Sequence, residues 1–461
     1  MTINLFSKLP TALLMGLRFR RFSYLLAGLS LFMLASAQKV EVCPELLPEQ
    51  FRFNLDDPNR WMGPMYQGEY GWLFRPLDLS EDIVLQDAAL EYVERFRAFL
   101  AEKGIKLMML NLPKRGILYS DKLDQGLHPN LDYSAQKAIA GYYQLQDWLH
   151  AHDILSPDLL GAFLAYQGED NLFLKRDNHW RAAGAALAAE EVAKALDYLA
   201  LPATESYRLK STDQQEKGVL AQRVESFCHS ELPLEDSEWV SLIDDQEADS
   251  AEDLFGTSHI PVVILGTSQS LRLYPHLANL LQTKILNIAL EGGGEAGSLI
   301  EYFSDRSWQE DKPEVLIWER SNKWDMDMET LRAFEQLMPH LAETRQCSSW
   351  VALKPNKRNT MFRYNPKTDD LALDLRPGEN YLDIRFSRKN VRVVNLELEY
   401  DDARTDGAWL GKSQLQNGGR FFFEPWLAGQ GALLKVSLLE PTQLKGKNIQ
   451  VDLRICNYQT P

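Results

Sequence analysis

The chain has 461 residues, of which 45% are hydrophobic and 25% charged, and its formal net charge at pH 7 is −16. This length predicts roughly two or three domains, with enough apolar material for a core. An acidic chain of this kind is unsuited to nucleic-acid binding. No Walker loop is present, and we expect no cofactor.

The first 37 residues are typical of a secretory signal peptide. Basic residues at positions 8, 18, 20 and 21 precede the apolar run Tyr24–Leu34, and Ala35-Ser36-Ala37 offers the small residues of a cleavage site. We therefore expect an exported chain that begins near Gln38. An uncleaved membrane anchor is the alternative.

Strands and helices alternate over residues 68–341. An entry strand is predicted at Gln67–Phe74, and buried strands at Ile105–Leu112, Pro261–Leu265, Lys284–Leu290 and Val315–Trp318. Helices are predicted at Ala88–Lys103, Tyr133–Ala151, Arg181–Leu196, Ser298–Phe303 and Leu331–Leu341. The polar, acidic residues 231–256 are expected to form a surface excursion. The alternation predicts a parallel-sheet α/β/α layer sandwich.

The pattern changes after Cys347 to short alternating runs separated by Asp, Gly, Asn and Pro. These runs are Leu371–Leu375, Tyr381–Phe386, Val391–Tyr400, Arg420–Phe423, Leu433–Leu438 and Ile449–Ile455. Such short strands predict an all-β sandwich. The predicted domains are therefore residues 1–37 as signal peptide, 38–346 as the α/β domain and 347–461 as the sandwich.

Four cysteines are present, and none belongs to a CxxC pair, so we expect no metal site. Four cysteines in an exported chain suggest two disulfides, with three connectivities open. A Cys347–Cys456 bridge would staple the sandwich, and Cys43–Cys228 would then tie down the first domain.

Charge is divided unevenly along the chain. Residues 347–461 carry 17 Lys and Arg against 13 Asp and Glu, a net charge of +4, whereas residues 38–346 have a net charge of −24. A mildly basic module on an acidic body suits a polyanionic ligand.

The stretch Pro261–Ser270 holds the candidate nucleophile. Its strand is followed by Gly266, and Ser268 would then lie at the carboxyl edge of a parallel sheet, where ligands bind. A serine in this strand-then-turn setting can act as a nucleophile if a base reaches it. Ser270 lies further into the turn, and the second Gly-Thr-Ser triplet, residues 256–258, follows no strand.

Asp177 and His179 are the candidate orienting acid and base. Residues two apart on an extended segment can point the same way, so the carboxylate could hold the imidazole while its other nitrogen faces Ser268. A structural histidine beside an aspartate is the competing interpretation, since this spacing is common.

Other candidates surround this edge of the sheet. Gly293, in the Gly292–Gly294 turn, and the hydroxyl of Tyr274 are possible oxyanion donors. Arg115 and Trp324 follow predicted strands, where Arg115 could meet a sugar carboxylate and Trp324 a sugar ring. A tight turn for Gly293 and core packing for Tyr274 are the alternatives.

These motifs resemble a known family. Asp177-x-His179-Trp180, followed later by Gly266-Thr267-Ser268-x-Ser270, is similar to the SGNH-hydrolase-like polysaccharide O-acetyltransferases of Gram-negative exopolysaccharide systems, in which the order of motifs is circularly permuted. Further motifs resemble the AlgX-type alginate O-acetyltransferases. These are Gly71–Arg75, Pro113-x-Arg115-Gly116, Gly292–Gly294 and Ile317-Trp318-Glu319.

The resemblance implies a periplasmic enzyme with Ser268 as nucleophile, His179 as base and Asp177 as orienting acid. It also implies that residues 347–461 form a carbohydrate-binding module for an anionic polysaccharide such as alginate, and that membrane acetyl-transfer and export-complex proteins are partners. Compositional candidates for polymer contact in the module are Arg388, Lys389, Arg392, Trp409, Lys412, Arg420 and Trp426.

Two other functions remain open at this point. The same three residues suit a polysaccharide acetyl esterase, in which water accepts the acetyl group. A non-catalytic, polymer-binding scaffold of the export complex is a third interpretation.

Overall fold

The computed structural model describes residues 42–54, 62–81, 83, 85–123, 126–244, 259–290, 294–320, 326–342, 345–355, 361–364, 375–411, 418–426, 433–439 and 449–458. The predicted signal peptide, residues 1–37, lies outside this part of the chain. None of the helices within it combines the length and the apolar character that a membrane crossing needs.

Helices and strands alternate up to residue 341, as predicted. The helices are α1 (Asp87–Glu102), α2 (Arg115–Leu118), α3 (Ala135–Ala151), α4 (Leu159–Ala165), α5 (Ala182–Leu196), α6 (Val219–Cys228), α7 (Ser270–Leu281), α8 (Gly294–Ser304) and α9 (Met326–Leu341). The strands of this region are β1 (Tyr66–Gln67), β2 (Leu73–Phe74), β3 (Lys106–Asn111), β4 (Tyr207–Glu216), β5 (Glu235–Asp244), β6 (Val262–Gly266), β7 (Ile285–Ala289) and β8 (Val315–Arg320).

The central sheet is parallel, with the strand order β3-β8-β6-β7. Successive side chains of a strand point to opposite faces, and both faces are buried here. Leu107 and Met109 pack in a core with α1, α3, α8 and α9. Met108 and Leu110 pack in a second core with α4, α5 and α7. The predicted α/β/α sandwich is therefore confirmed.

A long antiparallel ribbon was not predicted. Strands β4 and β5 pair over ten residues each, from Tyr207 opposite Asp244 to Glu216 opposite Glu235. Most of β4 is exposed, so its sequence shows no apolar alternation. The base of the ribbon lies beside α7, where one guanidinium nitrogen of Arg272 donates to both carboxylate oxygens of Glu216, at 2.8 and 2.9 Å.

The sandwich follows after residue 344. Its strands are β9 (Arg345–Cys347), β10 (Val351–Ala352), β11 (Lys354–Pro355), β12 (Met361–Tyr364), β13 (Asn380–Phe386), β14 (Val393–Tyr400), β15 (Thr405–Gly411), β16 (Arg420–Phe423), β17 (Leu433–Leu439) and β18 (Val451–Tyr458). One antiparallel sheet has the order β10-β18-β13-β16, with β9 beside β18, and the other has the order β11-β12-β17-β14-β15. Alternate residues of both sheets form a common core, for example Leu382, Leu396 and Val436.

Two disulfides join segments that are distant in sequence. Cys43 pairs with Cys228 at the end of α6, and Cys347 of β9 pairs with Cys456 of β18. The first bridge fastens the N-terminal segment to α6, whose apolar face packs on Leu46 and Leu73. The second joins neighbouring strands of the sandwich.

The α/β part contacts the sandwich through buried carboxylates. Glu424, just after β16, accepts hydrogen bonds from Tyr92 at 3.0 Å and Arg95 at 2.7 Å, both in α1. Glu335 of α9 accepts one from the backbone N–H of Trp426 at 3.1 Å. Glu335 and Glu424 are both fully buried. We call this contact the junction.

Candidate active site

The turn after β6 is shaped by its neighbours. A Cβ added to Gly266 would lie 2.7 Å from Oε2 of Glu319 and 2.8 Å from Cβ of Ser270, so glycine is required for the turn to close. Thr267 is buried. Ser268 follows it directly before α7, at the carboxyl edge of the sheet, as the sequence predicts.

Asp177, His179 and Ser268 lie together in a chain of hydrogen bonds. Nδ1 of His179 is 2.5 Å from Oδ1 of Asp177, and Nε2 of His179 is 2.7 Å from Oγ of Ser268. When Nδ1 donates its proton to the carboxylate, Nε2 is free of a proton and can accept the serine hydroxyl. This is the geometry that activates a serine.

The carboxylate of Asp177 stays ionised because donors surround it. Burial acts to raise its pKa, but the hydrogen bond and charge of His179, and backbone N–H donors from Val219 and His179, hold the pKa well below its usual range. The Val219 N–H lies 2.7 Å from Oδ2, at the start of α6. An anion at a helix N-terminus is further favoured by the helix dipole.

The loop that carries Asp177 and His179 is a short hairpin. Phe173 pairs with Trp180, and the N–H of Leu174 donates to the carbonyl of His179 at 3.1 Å. The buried carboxylate of Glu235, at the base of the ribbon, accepts the N–H groups of Lys175 and Arg176 at 2.8 and 2.7 Å. The polar ribbon therefore supports the hairpin from behind.

Gln269 joins the hairpin to the turn of the candidate nucleophile. Its Nε2 donates to the carbonyl of Asn178 at 2.7 Å, and its Oε1 accepts the N–H of Trp180 at 3.3 Å. The indole N–H of Trp180 donates to the carbonyl of Gln269 at 3.1 Å. The two residues that flank His179 are thus held by the residue that follows Ser268. Sequence reasoning missed Gln269, and its position next to the serine was the signal available.

The rival serines differ from Ser268. Ser270 is fully buried, and its hydroxyl donates to the carbonyl of Thr267 at 2.9 Å, so it serves the start of α7. The triplet Gly256-Thr257-Ser258 lies outside the described residues.

Arg115 was expected to meet a substrate carboxylate, and this expectation is wrong. Its side chain is fully buried. The guanidinium donates to the carbonyls of Leu73, Leu174 and Lys175 at 3.0, 2.9 and 2.8 Å and lies 3.4 Å from Asp78. A guanidinium buried against these carbonyls braces the hairpin and cannot reach a ligand.

Tyr274 was a candidate oxyanion donor, and the structure places it elsewhere. It packs against the core beside α5. Burial raises its pKa, and the nearby charges that add to the effect are Asp244 and Glu205. Glu205 bonds to Gln282 just beyond the carboxyl end of α7, whereas Ser268 precedes the amino end. Core packing is therefore the role of Tyr274. Gly293 and Trp324 lie outside the described residues.

Three polymer-binding candidates share the connection from β13 to β14, where Lys389 is exposed and Arg388 and Arg392 are half-buried. Trp409 of the neighbouring strand is 60% exposed, and it is paired with Asn395. The ring lies over Gly411, where an added Cβ would approach it to 2.4 Å. These residues present a basic and aromatic surface at one end of the sandwich. Lys412 lies outside the described residues.

The remaining two candidates have partners of their own. Arg420 is partly exposed and forms a bidentate ion pair with the buried Asp383 at 2.9 and 2.8 Å. Trp426 packs against Tyr92 of α1, with ring centroids 5.4 Å apart, and its N–H bonds to Glu335. Trp426 is half-buried at the junction, and its contact with a polymer stays a prediction.

Potential metal ligands are brought together once among the described residues, at Cys347, Asp383 and Cys456. The two sulfur atoms form a disulfide. A disulfide has no thiolate to offer a metal ion, so this cluster does not make a metal site.

The comparisons with known proteins come from sequence and from structure. Residues 65–322 match the family model described as "SGNH hydrolase-like domain, acetyltransferase AlgX". The chain is 27% identical to the "Alginate biosynthesis protein AlgX" of Pseudomonas fluorescens over 78% of this chain and 76% of that protein. It is 24% identical to the "Probable alginate O-acetylase AlgJ" of Pseudomonas putida over 63% of this chain and 78% of that protein.

A solved structure of Pseudomonas aeruginosa AlgX has the same fold. The TM-score is 0.68 at 20% identity, and the match covers 91% of this chain and all of that one. The permuted order of motifs is thus found in a chain whose parallel sheet is followed by an antiparallel sandwich. Because the family model covers more than half of the sequence, the chain belongs to the AlgX-type family of SGNH-hydrolase-like acetyltransferases.

Proposed function

We propose that the protein is a periplasmic O-acetyltransferase that moves an acetyl group through an acetyl-serine onto hydroxyls of an exopolysaccharide. The observation that carries the proposal is the 2.7 Å contact between Nε2 of His179 and Oγ of Ser268, backed by the ionised Asp177. Membership of a family described as acetyltransferase supports this choice among serine-dependent reactions.

In the first half-reaction Ser268 is acetylated. His179 takes the proton from Oγ while Oγ attacks the acetyl carbonyl carbon, and a C–O bond forms. The negative charge on the carbonyl oxygen is met by backbone donors at the turn, for which the N–H of Ser268 is the candidate. The intermediate collapses as the bond to the leaving group breaks, and His179 returns its proton to that group.

In the second half-reaction the acetyl group reaches the polymer. A sugar hydroxyl gives its proton to Nε2 of His179 and attacks the acetyl-serine. The serine oxygen leaves and recovers the proton. Throughout, Asp177 stabilises the imidazolium and holds its tautomer.

Alginate, at its mannuronate residues, is the acceptor that we propose. The AlgX and AlgJ relatives are named for alginate biosynthesis and alginate O-acetylation. The charge distribution supports an anionic polymer, because a module with a net charge of +4 can offset a body with a net charge of −24. We assign residues 347–461 to this module, and Arg388, Lys389, Arg392 and Trp409 to its contact surface.

The proposal is tested by offering the purified mature chain a chromogenic acetyl ester with and without mannuronate oligomers. We expect acetylated oligomer, detected by mass spectrometry, and faster ester turnover when oligomers are present. Ser268→Ala should abolish both, while Ser270→Ala should retain them because its hydroxyl points to a backbone carbonyl.

Other outcomes separate the alternatives. Acetate release that is independent of oligomer, with no acetylated product, would identify an esterase. Full acetylation by the Ser268→Ala variant would contradict catalysis at this serine and leave a polymer-binding scaffold.

A further inference from the structure

A carboxylate lies buried directly beneath the candidate nucleophile. Glu319 occupies β8, the strand between β3 and β6, and its side chain has no exposed surface. It is paired with Leu110 across the sheet, in a region of apolar side chains. A carboxyl group in such a place costs free energy unless donors compensate, so its partners indicate what it does.

Two of its hydrogen bonds come from the residue before Ser268. Oε2 of Glu319 accepts the backbone N–H of Thr267 at 2.7 Å and the hydroxyl of Thr267 at 3.0 Å. The carboxylate can come this close because Gly266 has no side chain. Oε2 of Glu319 therefore restrains both the rotation of the Thr267 side chain and the tilt of its peptide group.

The restraint continues toward His179. The Thr267 hydroxyl, having donated to Glu319, accepts the N–H of Gln269 at 3.3 Å. Gln269 in turn bonds to Asn178 and Trp180, the residues on either side of His179. One hydrogen-bonded series thus begins at Glu319, runs through the turn of Ser268 and ends at the hairpin of the base.

We infer that Glu319 is a positioning residue, which holds Thr267 so that Oγ of Ser268 stays within hydrogen-bond reach of Nε2 of His179. The inference rests on the proposed function, in which this contact activates the serine. It predicts that Glu319 acts on the chemical step. A displacement of about 1 Å between reacting groups can cost about 100-fold in rate.

The first test uses Glu319→Met, which keeps the length of the side chain but removes both acceptor oxygens. Turnover of the chromogenic acetyl ester should fall about 10- to 100-fold in kcat, with KM within about twofold and Tm within a few degrees. Thr267→Val, which loses the hydroxyl, should lose about tenfold, and Thr267→Ser should restore the rate. Ile317→Val, in the same strand, is the matched control for a packing defect.

A second readout does not depend on the natural acceptor. An alkyl fluorophosphonate labels an activated serine as the P–O bond forms, fluoride leaves and His179 takes the hydroxyl proton. We expect labelling of Ser268 in the parent chain and slowing in Glu319→Met and Thr267→Val by the same factors as above.

The outcomes separate the two proposals. If the parent chain is labelled at Ser268 but transfers no acetyl group, the proposed function fails. The labelling rates of the variants then still test the positioning role of Glu319. A folded Glu319→Met chain that is labelled at the parent rate would overturn the inference, as would equal slowing in Ile317→Val. If Glu319→Met does not fold, Thr267→Val decides. A parent chain that is not labelled at Ser268 would overturn both proposals.

Discussion

Two buried carboxylates, one at the edge of the parallel sheet and one at the junction, are held in opposite charge states. Asp177 is buried among donors, and its pKa lies well below its usual range. Glu335 is also buried, but burial raises its pKa to about 8; the charge of Arg332 opposes the shift and that of Asp406 adds to it. Burial is therefore common to both groups, and the surrounding donors and charges decide which form is stable.

The difference in charge state matches a difference in role. Asp177 faces a histidine whose other nitrogen contacts Ser268, so in the proposed reaction its ionised carboxylate stabilises an imidazolium. Glu335 accepts the N–H of Trp426 from the sandwich and pairs with Arg332 of its own helix, which also reaches Asp406 of β15, so it acts in packing. The lowered pKa of Asp177 thus suits the proposed chemistry, whereas the raised pKa of Glu335 accompanies packing between the two parts.

The pH dependence of the two groups has opposite signs. A carboxyl group with a lowered folded pKa stabilises the fold above its unfolded pKa, here about 3.8, and that contribution is lost as the pH falls below it. A raised folded pKa stabilises the fold at low pH, and the contribution is lost as the pH rises from the unfolded value of 4.5 to about 8.

The largest effect is expected from removing the charge of Asp177. Asp177→Asn presents an amide to His179 and favours the wrong imidazole tautomer, so acetyl transfer should fall about 10⁴-fold in kcat. Steady-state kinetics with the chromogenic ester measure the loss. Asp170→Asn, an exposed change in the same connection, is the matched control and should match the parent chain. If Asp177→Asn retained its activity, the hydrogen bond to His179 would be sufficient for catalysis without the negative charge.

The sequence predicted the sheet edge better than the parts around it. Strand β6 and the candidate residues Asp177, His179 and Ser268 could be found from the sequence. A run of apolar residues followed by Gly266 indicates a strand and its turn. Arg115 was assigned wrongly because its place after a strand is also what a ligand-binding residue would have. Only the fold shows that carbonyls of Leu73 and Leu174 surround it. An acidic residue ending the apolar run of β8 was a visible signal for Glu319.

The sandwich was predicted through its alternating strands, but its strands β9 to β12 and β15, and the ribbon of the α/β part, were not predicted. Strand β16 was placed at Arg420–Phe423, as observed, because three successive aromatic residues favour a strand. Strand β15 contains two glycines, Gly407 and Gly411, which obscure the alternation of polar and apolar side chains. Strand β4 of the ribbon is mostly polar and exposed, so its sequence shows no apolar periodicity.

The junction provides the second prediction. Glu335→Gln mimics the protonated carboxyl group at every pH, so the fall in unfolding free energy between pH 5 and pH 8.5 should be smaller than in the parent chain. The difference should reach about 3 to 5 kcal/mol, at roughly 1.4 kcal/mol per pKa unit. Urea unfolding at the two pH values measures it.

Glu379→Gln is the control for that experiment, because Glu379 lies in the sandwich with its carboxyl group exposed. Its pH dependence should follow the parent chain. Parallel curves for the parent chain and Glu335→Gln would mean that Glu335 is ionised at neutral pH. The contrast with Asp177 would then disappear.

The smallest effect is expected from a change on the exposed surface of the sandwich, at Trp409, compared with a change at the junction, at Trp426. Trp409 is 60% exposed beside the basic connection, whereas Trp426 packs on Tyr92. Trp409→Ala should weaken mannuronate-oligomer binding about tenfold, or about 1.4 kcal/mol, with an unchanged Tm, measured by calorimetric titration. Trp426→Ala should lower Tm because it removes packing between the two parts. Equal effects of both changes on oligomer binding would place the polymer at the junction. If Trp409→Ala bound the oligomer as tightly as the parent chain, this surface would be removed from the proposal.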